Sequence, residues 1–417
     1  MSAGSGAAAG DRPVLLLLSA SRRVIDKARA LGLDVVHIQA PTMTDPSLAE
    51  LCLRSVQAEL PDVRGLVELA RGLHREFGFA GVVSNHEPAC AGAEAIALDL
   101  GLTAPGDGVS ALLRDKARTH EVLDGSEELA SAWARARSVE DILAVAARAG
   151  YPLILKPTDG SASLGVVKVD GPEQVDAAWE RVCGSLRNEH RYHEVLPVSG
   201  YLVEPFADGE EFSVETFSHA GRHEVRAVVR KVIDGAFVET GHIVPAALDD
   251  GLRAELVSRV TAFLDHVGLR EGPAHTELIA GEKGIHLVES HARTGGDGIP
   301  ALVCLVTGRD VETDMLAHFT GLPLPEAVPA RAAAAVKSYL VADSPGRIAA
   351  VEGLAEARAL PGVHAVETWV GEGDEVRPAA ASWERLGEIV ALGPDVHAAQ
   401  SAADEARRLI RLRMEES

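Results

Sequence analysis

Short apolar runs alternate with amphipathic stretches over the first hundred residues. The unbroken run Val14–Leu18 follows Asp11, Arg12 and Pro13 and predicts a buried strand. A turn at Ser19, Ala20 and Ser21, a helical stretch over 22–32 and a second strand at Asp34–Ile38 come next. Further on, Gly81, Val82 and Val83 run into Ser84, Asn85, His86 and Glu87, and an Ala-rich helix from Ala89 to Leu100 ends at Gly101. Strand, loop and helix in repetition predict a parallel α/β unit. Loops after the strands of such sheets line ligand sites, so His86 and Glu87 are candidates. The alternative is that Asn85 and Glu87 cap the following helix.

The pattern changes after a Gly/Pro-rich joint at Gly101–Gly108. A helix carrying Lys116, a variable connector and a helix at Val139–Ala149 lead into β-rich sequence. Tyr151–Pro157 and Gly165–Val169 flank a small-residue loop, Tyr201–Phe206 and Glu211–Phe217 flank Asp208 and Gly209, and Ala227–Asp234 precedes Ala236–His242. Thr276–Ala280 and Ile285–Ser290 flank a tight turn, Gly281–Gly284. All read as hairpins. Past a Pro-rich joint near 323 come mixed short strands and a last helix over Val396–Met414. The expected class is α/β (α+β), with units at 1–112, 113–322 (divided at 198/199) and 323–417, and residues 1–10 form a small-residue tail.

Composition narrows the function. A chain of 417 residues has room for roughly three domains. With 40 Lys+Arg against 62 Asp+Glu, the net charge is −22, which repels phosphate backbones and anionic lipid. No nucleic acid or membrane partner is expected. Aromatics at 4% leave Leu, Val, Ile and Ala to build the cores. Cys52, Cys90, Cys183 and Cys304 form no CxxC pair, which argues against a disulfide framework or structural zinc and fits a cytoplasmic setting. Val14–Leu18 is too short for a membrane span.

Four stretches carry chemistry. Folding 274–280 back on 285–291 sets Glu277 nearly opposite Glu289, with His291 on the same face as Glu289. Facing carboxylates repel unless a cation such as Mg²⁺ lies between them; otherwise both are solvated on an exposed face. Arg293, Thr294, Gly295, Gly296, Asp297 and Gly298 then lead into an apolar helix, a setting that offers backbone N–H groups and a guanidinium to an anion. The alternative there is a plain loop with Asp297 as helix cap. Lys156 ends an apolar strand before the Gly/Ser loop Gly160–Gly165, which matches neither a Walker A loop nor GxGxxG. Finally, Glu204 and Glu211 bracket Phe206, Ala207, Asp208 and Gly209.

In this order and spacing the four resemble the ATP-grasp superfamily of carboxylate–amine ligases, from about Lys116 to Thr320. Within it the likeness is to bacterial L-amino acid ligases, which make dipeptides. The resemblance implies an ATP-grasp fold with an N-terminal Rossmann-like α/β domain and a C-terminal biotin-carboxylase-like mixed domain. It implies ATP with two Mg²⁺, Mn²⁺ as a substitute, and amino acid substrates joined through an acyl phosphate. Lys116 and Lys156 would hold the α- and β-phosphates, Gly160, Ser161, Ser163 and Gly165 the phosphate lid, and Glu204, Phe206 and Ala207 the adenine, with Glu211 on the ribose. Glu277 and Glu289 would bind metal and Arg293 would stabilise the transferring phosphoryl group. His291 stands where the family places an Asn as a further metal ligand. Imidazole is a poorer Mg²⁺ partner than an amide oxygen, so either His291 leaves the metal to the two glutamates or Mn²⁺ is better tolerated than usual. Glu239 and His242, with Arg230 or Lys231, Arg293, Gly295, Gly296 and Glu87, would face the substrates. A homodimer is compatible with the resemblance. The competing readings are a ligase of another carboxylate, a bicarbonate-activating carboxylase and a non-catalytic nucleotide-binding protein.

Overall fold

The computed structural model describes residues 12–124, 132–161, 163–185, 198–235 and 237–415. The tail at 1–10 and most of the connector at 186–200 lie outside the described residues.

Four parallel strands open the chain: β1 (Val14–Leu18), β2 (Asp34–Gln39), β3 (Arg54–Gln57) and β4 (Phe79–Val83), in the order β3-β2-β1-β4. Both faces are covered, which is why β1 is apolar at every position. Leu16, Leu18, Val36 and Ile38 pack on Leu66 and Ala70 of α2 (Val63–Phe77) and on Ile96 of α3 (Glu87–Asp99). Leu15, Leu17 and Val35 face Val24, Ile25 and Ala28 of α1 (Arg22–Ala30). Two short helices, α4 (Val109–Arg114) and α5 (Lys116–Leu123), follow.

The next unit is an antiparallel sheet in the order β5-β8-β6-β7, built from β5 (Ala134–Ala136), β6 (Leu153–Pro157), β7 (Val167–Val169) and β8 (Tyr201–Pro205). Helices α6 (Val139–Ala149) and α7 (Val175–Ser185) complete a core of Ile142, Val145, Leu153, Leu155, Val169 and Val203.

A large sheet follows. Its strands are β9 (Glu210–His219), β10 (Arg222–Ile233), β11 (Glu239–Val244), β12 (Gly272–Gly281), β13 (Gly284–His291) and β14 (Ala334–Leu340). Helix α8 (Asp250–His266) buries Leu256, Val260 and Phe263 against Phe212, Val214 and Val228 on one face. Helix α9 (Ile299–Thr307) covers Val229, Val244 and Ala335 on the other. Helix α10 (Val311–Phe319) packs on β4, α1 and β12 and so joins the first unit to the large sheet.

The C-terminal segment adds β15 (Gly346–Glu352), β16 (Val363–Thr368), β17 (Glu375–Val376), β18 (Gly387–Gly393) and β19 (Arg411–Met414), with α11 (Leu354–Ala359) and α12 (Val396–Leu409). β14, β18 and β16 extend the large sheet, and β17-β15-β19 form a separate one.

Two expectations are corrected. Asp208 and Gly209 close no hairpin, because β8 pairs with β5 and β6 whereas β9 pairs with β10 and β12. Residues 206–209 instead cross from one sheet to the other. The last helix stops at Leu409, and Leu412 and Met414 turn inward as β19 pairs with β15. Among the described residues no helix is long and apolar enough to cross a membrane.

Candidate active site

The two-residue turn Glu282-Lys283 fixes the register of β12 and β13, and Glu277 pairs directly with Glu289. Both are largely buried, and each is held by a lysine from another element. Lys231 of β10 lies 2.7 Å from Glu277 Oε2, and Lys116, at the start of α5, lies 2.6 Å from Glu289 Oε2. A histidine contacts the second oxygen of each: His275 Nε2 is 2.9 Å from Glu277 Oε1 and His291 Nε2 is 3.0 Å from Glu289 Oε1. Burial alone would raise both carboxyls. The cations outweigh it, holding Glu277 down at about 2 and Glu289 well below the usual carboxylate range. Behind Glu277, His275 Nδ1 contacts Glu215 Oε1 at 2.6 Å, and Ser213 Oγ donates to the same oxygen at 2.8 Å.

Lys231 is the hub of a second group. Its Nζ also lies 2.6 Å from Glu211 Oε1 and 2.8 Å from Glu239 Oε1. Burial, with Asp297 nearby, pushes the Glu239 carboxyl up to about 8. Arg230, one position earlier on β10, points away and pairs with Glu210 at the surface, so the choice between Arg230 and Lys231 falls to Lys231. Strand alternation puts adjacent residues on opposite faces.

From the small sheet, Lys156 reaches Glu204 Oε1 at 2.5 Å and donates to the Val288 carbonyl at 3.4 Å. His120 Nε2 sits 3.1 Å from Glu204 Oε2, so Lys156 and His120 keep Glu204 at about 2 against its burial. Lys116 donates to the Gly160 carbonyl at 3.0 Å, bringing the lid over Glu289.

These groups enclose one cavity of about 510 Å³. It is lined by Lys116, Lys156, Gly160, Ser161, Ser163, Glu204, Phe206, Ala207, Glu211, Glu239, Glu277 and Glu289. Gly165, with φ +73, belongs to the same lid loop but not to the wall. His242 lies behind the wall, fully buried, 3.7 Å from Glu239 and 3.5 Å from Asp297.

The loop after β13 faces the first unit. Arg293 NH2 donates to Glu87 Oε2 at 2.9 Å, and Arg114 contacts Glu87 Oε1 at 3.3 Å. Glu87 therefore caps nothing, and neither does Asn85, whose Oδ1 accepts from the backbone and hydroxyl of Thr294. Asp297 is no cap for α9 either; Gly298 holds that position, and Asp297 takes both arms of Arg385 at 2.7 Å. Gly295 packs where a Cβ would come within 3.0 Å of Glu215 Oε2 and His275 Nδ1, whereas Gly296 borders open space. Reading the residues missed His120, Glu215, His275 and Arg385. Only the even spacing of Ser213, Glu215, His275 and Glu277 along two paired strands signalled a shared face.

Residues 149–301 match the ATP-grasp domain family, and residues 338–415 match L-amino acid ligase C-terminal domain 2. The chain thus carries an ATP-grasp domain and an L-amino acid ligase C-terminal domain. An alanine–anticapsin ligase of Bacillus subtilis is 26% identical over 248 residues, 56% of this chain and 52% of that protein. The chain thus spans about half the length of that relative. An uncharacterised protein of Sinorhizobium fredii is 25% identical over 398 residues, 92% of this chain and 79% of that one. The crystal structure of an L-amino acid ligase from Bacillus licheniformis superposes with a TM-score of 0.81 at 23% identity, covering 98% of this chain and all of that one. An ATP-grasp domain implies ATP and Mg²⁺. The ATP-grasp residues fit the ion: two opposed carboxylates supply hard oxygen donors.

Proposed function

We propose that the chain is an ATP-dependent carboxylate–amine ligase that joins two amino acids, or an amino acid and a related amine, releasing ADP and phosphate. What carries this reading is the opposed pair Glu277 and Glu289 in the same cavity as Lys116, Lys156 and the lid residues Gly160, Ser161 and Ser163. On this reading residues 113–322 grip the nucleotide, 1–112 supply Glu87 to the substrate side, and 323–417 supply Arg385.

Phe206, Ala207 and Glu204 receive adenine, Glu211 the ribose, and Lys116 and Lys156 the phosphates. Glu277 and Glu289 would hold two Mg²⁺, for which Mn²⁺ would substitute, and such ions would supply positive charge against the phosphates. A substrate carboxylate oxygen bonds to the γ-phosphorus as the bond to the β-bridging oxygen breaks, giving an acyl phosphate and ADP. The amine nitrogen then bonds to the acyl carbon, phosphate leaves with the C–O electron pair, and the nitrogen gives up its proton. Arg293 offsets charge on the moving phosphoryl group, and Glu87 sets the angle of its guanidinium. The closed lid keeps water from the acyl phosphate, so the protein contributes position and charge rather than covalent chemistry. Glu239 and His242 border the place for the amino acid.

The test is ADP release with Mg²⁺ across natural amino acids singly, in pairs and with bicarbonate. ADP with particular pairs, together with a dipeptide mass, is expected. ADP with bicarbonate alone would make the chain a carboxylase instead. Glu289→Ala and Arg293→Ala should each abolish product in a folded protein, and wild-type turnover by either would sink the assignment.

A further inference from the structure

The far end of the large sheet carries a second convergence of ligating side chains. β9 runs from Glu211 in the cavity to His219, eight residues and about 26 Å away at ~3.3 Å per residue. Glu271 immediately precedes β12, and since Gly272 pairs with Ser218, Glu271 lies beside His219. His318, in the last turn of α10, completes the group. His318 Nε2 is 3.0 Å from Glu271 Oε2, and His219 Nδ1 is 3.3 Å from the same oxygen. All three ligand atoms lie within 4.8 Å of one another.

The surroundings hold these groups in place. Glu271 Oε1 accepts the Ala220 N–H at 3.1 Å, which fixes the carboxylate and leaves Oε2 for the histidines. Ala220 and Gly221, at φ +50 and +77, form the tight β9–β10 turn, and the Gly221 N–H donates to the Arg270 carbonyl at 2.9 Å. The His318 ring stands edge-on to Phe217, Phe319 and His219, each about 5.3 Å away between centroids. Glu271 and His318 are therefore set, while the His219 side chain is 77% exposed and opens the group to solvent.

Two imidazole nitrogens and one carboxylate oxygen suit a borderline transition-metal dication, unlike the all-oxygen set of the cavity, which suits Mg²⁺. Three protein ligands leave a further position for water, the donor arrangement of an open zinc site. We propose that His219, Glu271 and His318 bind one divalent transition-metal ion of the Zn²⁺ class. The ion ties the β9–β10 turn to α10, and through α10 to the first unit, so its effect falls on stability rather than on the ligase reaction.

The test titrates ZnCl₂ calorimetrically into the full chain, stripped with EDTA and then saturated with Mg²⁺ and ADP. One equivalent is expected to bind, and saturating Zn²⁺ should raise Tm by several degrees. His219→Ala, at an exposed position, and Glu271→Gln, which keeps an acceptor for Ala220, should each weaken that equivalent at least tenfold and remove the Tm rise. Visible d–d absorption with Co²⁺ should be lost in the same variants. ADP-forming activity of His219→Ala should match the parent's. No zinc binding to the parent, or titrations of parent and variants that superimpose, would overturn the proposal; the former leaves a plain histidine–carboxylate contact. A chain inactive as a ligase that still bound Zn²⁺ through these residues would refute the proposed function and leave this site standing.

Discussion

Replacing Lys231 by Met removes a cation shared by Glu211, Glu239 and Glu277, whose oxygens lie 2.6, 2.8 and 2.7 Å from its Nζ. The three carboxylates have oxygens within 4.8 Å of one another. At an effective dielectric constant near 20, each pair of charges at that distance repels by about 3.5 kcal/mol, so three ionised groups carry about 10 kcal/mol. Protonating one removes two of the three repulsions and leaves about 3.5 kcal/mol. That matches the ~3–5 kcal/mol cost of breaking a buried ion pair by deleting one partner. Glu239, whose carboxyl is up at about 8 with Lys231 in place, already carries that proton in most molecules at pH 7.5, so Glu211 and Glu277 are the ionised pair that the substitution leaves facing each other. Urea unfolding near pH 7.5 should therefore show Lys231→Met less stable by about 3–5 kcal/mol, with the gap narrowing near pH 5.5 and on addition of Mg²⁺. ADP release should fall at least a hundredfold. Unchanged stability at both pH values would mean that Glu211 and Glu277 are solvated or share a proton between them, and the reasoning would fail.

Three further outcomes are expected. His291→Asn puts an amide oxygen beside Glu289 in place of the imidazole 3.0 Å from Oε1, and should lower severalfold the Mg²⁺ needed for half-maximal ADP release. A rise instead would assign His291 to orienting Glu289. His37 accepts the Ala20 N–H, and burial lowers its pKa from 6.5 to about 4, so the unfolded chain binds the extra proton between those values. Stability is full above pH 6.5 and falls by up to roughly 3 kcal/mol as pH drops to 4; His37→Gln, compared by urea titrations across that range, should flatten the slope. Gly209→Ala would place a Cβ 2.2 Å from the Ala280 carbonyl oxygen, a clash with backbone that should cost about 1–3 kcal/mol and raise KM for ATP, measured by steady-state ADP release.

Much of the site was legible because strand alternation and a tight turn leave little freedom. Glu277 against Glu289 follows from the hairpin alone. The same rule did not choose between Arg230 and Lys231, since irregular register at Val225/Ala227 and Val232/Ile233 shifts the parity of β10 against its neighbours. Asp208 and Gly209 carry turn chemistry that serves equally for a hairpin and for a crossing between sheets, and only pairing partners separate the two. Arg385 was out of reach for a different reason. It meets Asp297 across 88 positions of chain, and no local pattern announces a contact of that range. The unbroken apolar β1 gave a buried strand, and its two covered faces are the physical cause.

The small sheet has a hydrophobic core of its own, separate from those of the large sheet, yet Lys156 and most of the lid belong to it. Cooperative opening in proteins follows such cores. A sequence change inside this one, at Ile142 or Val169 for instance, would therefore weaken the hold on nucleotide while the rest of the molecule stayed intact. Such a variant would express and purify normally, keep the amide protection of the large sheet, and reveal its fault only as the temperature rose and ATP became limiting.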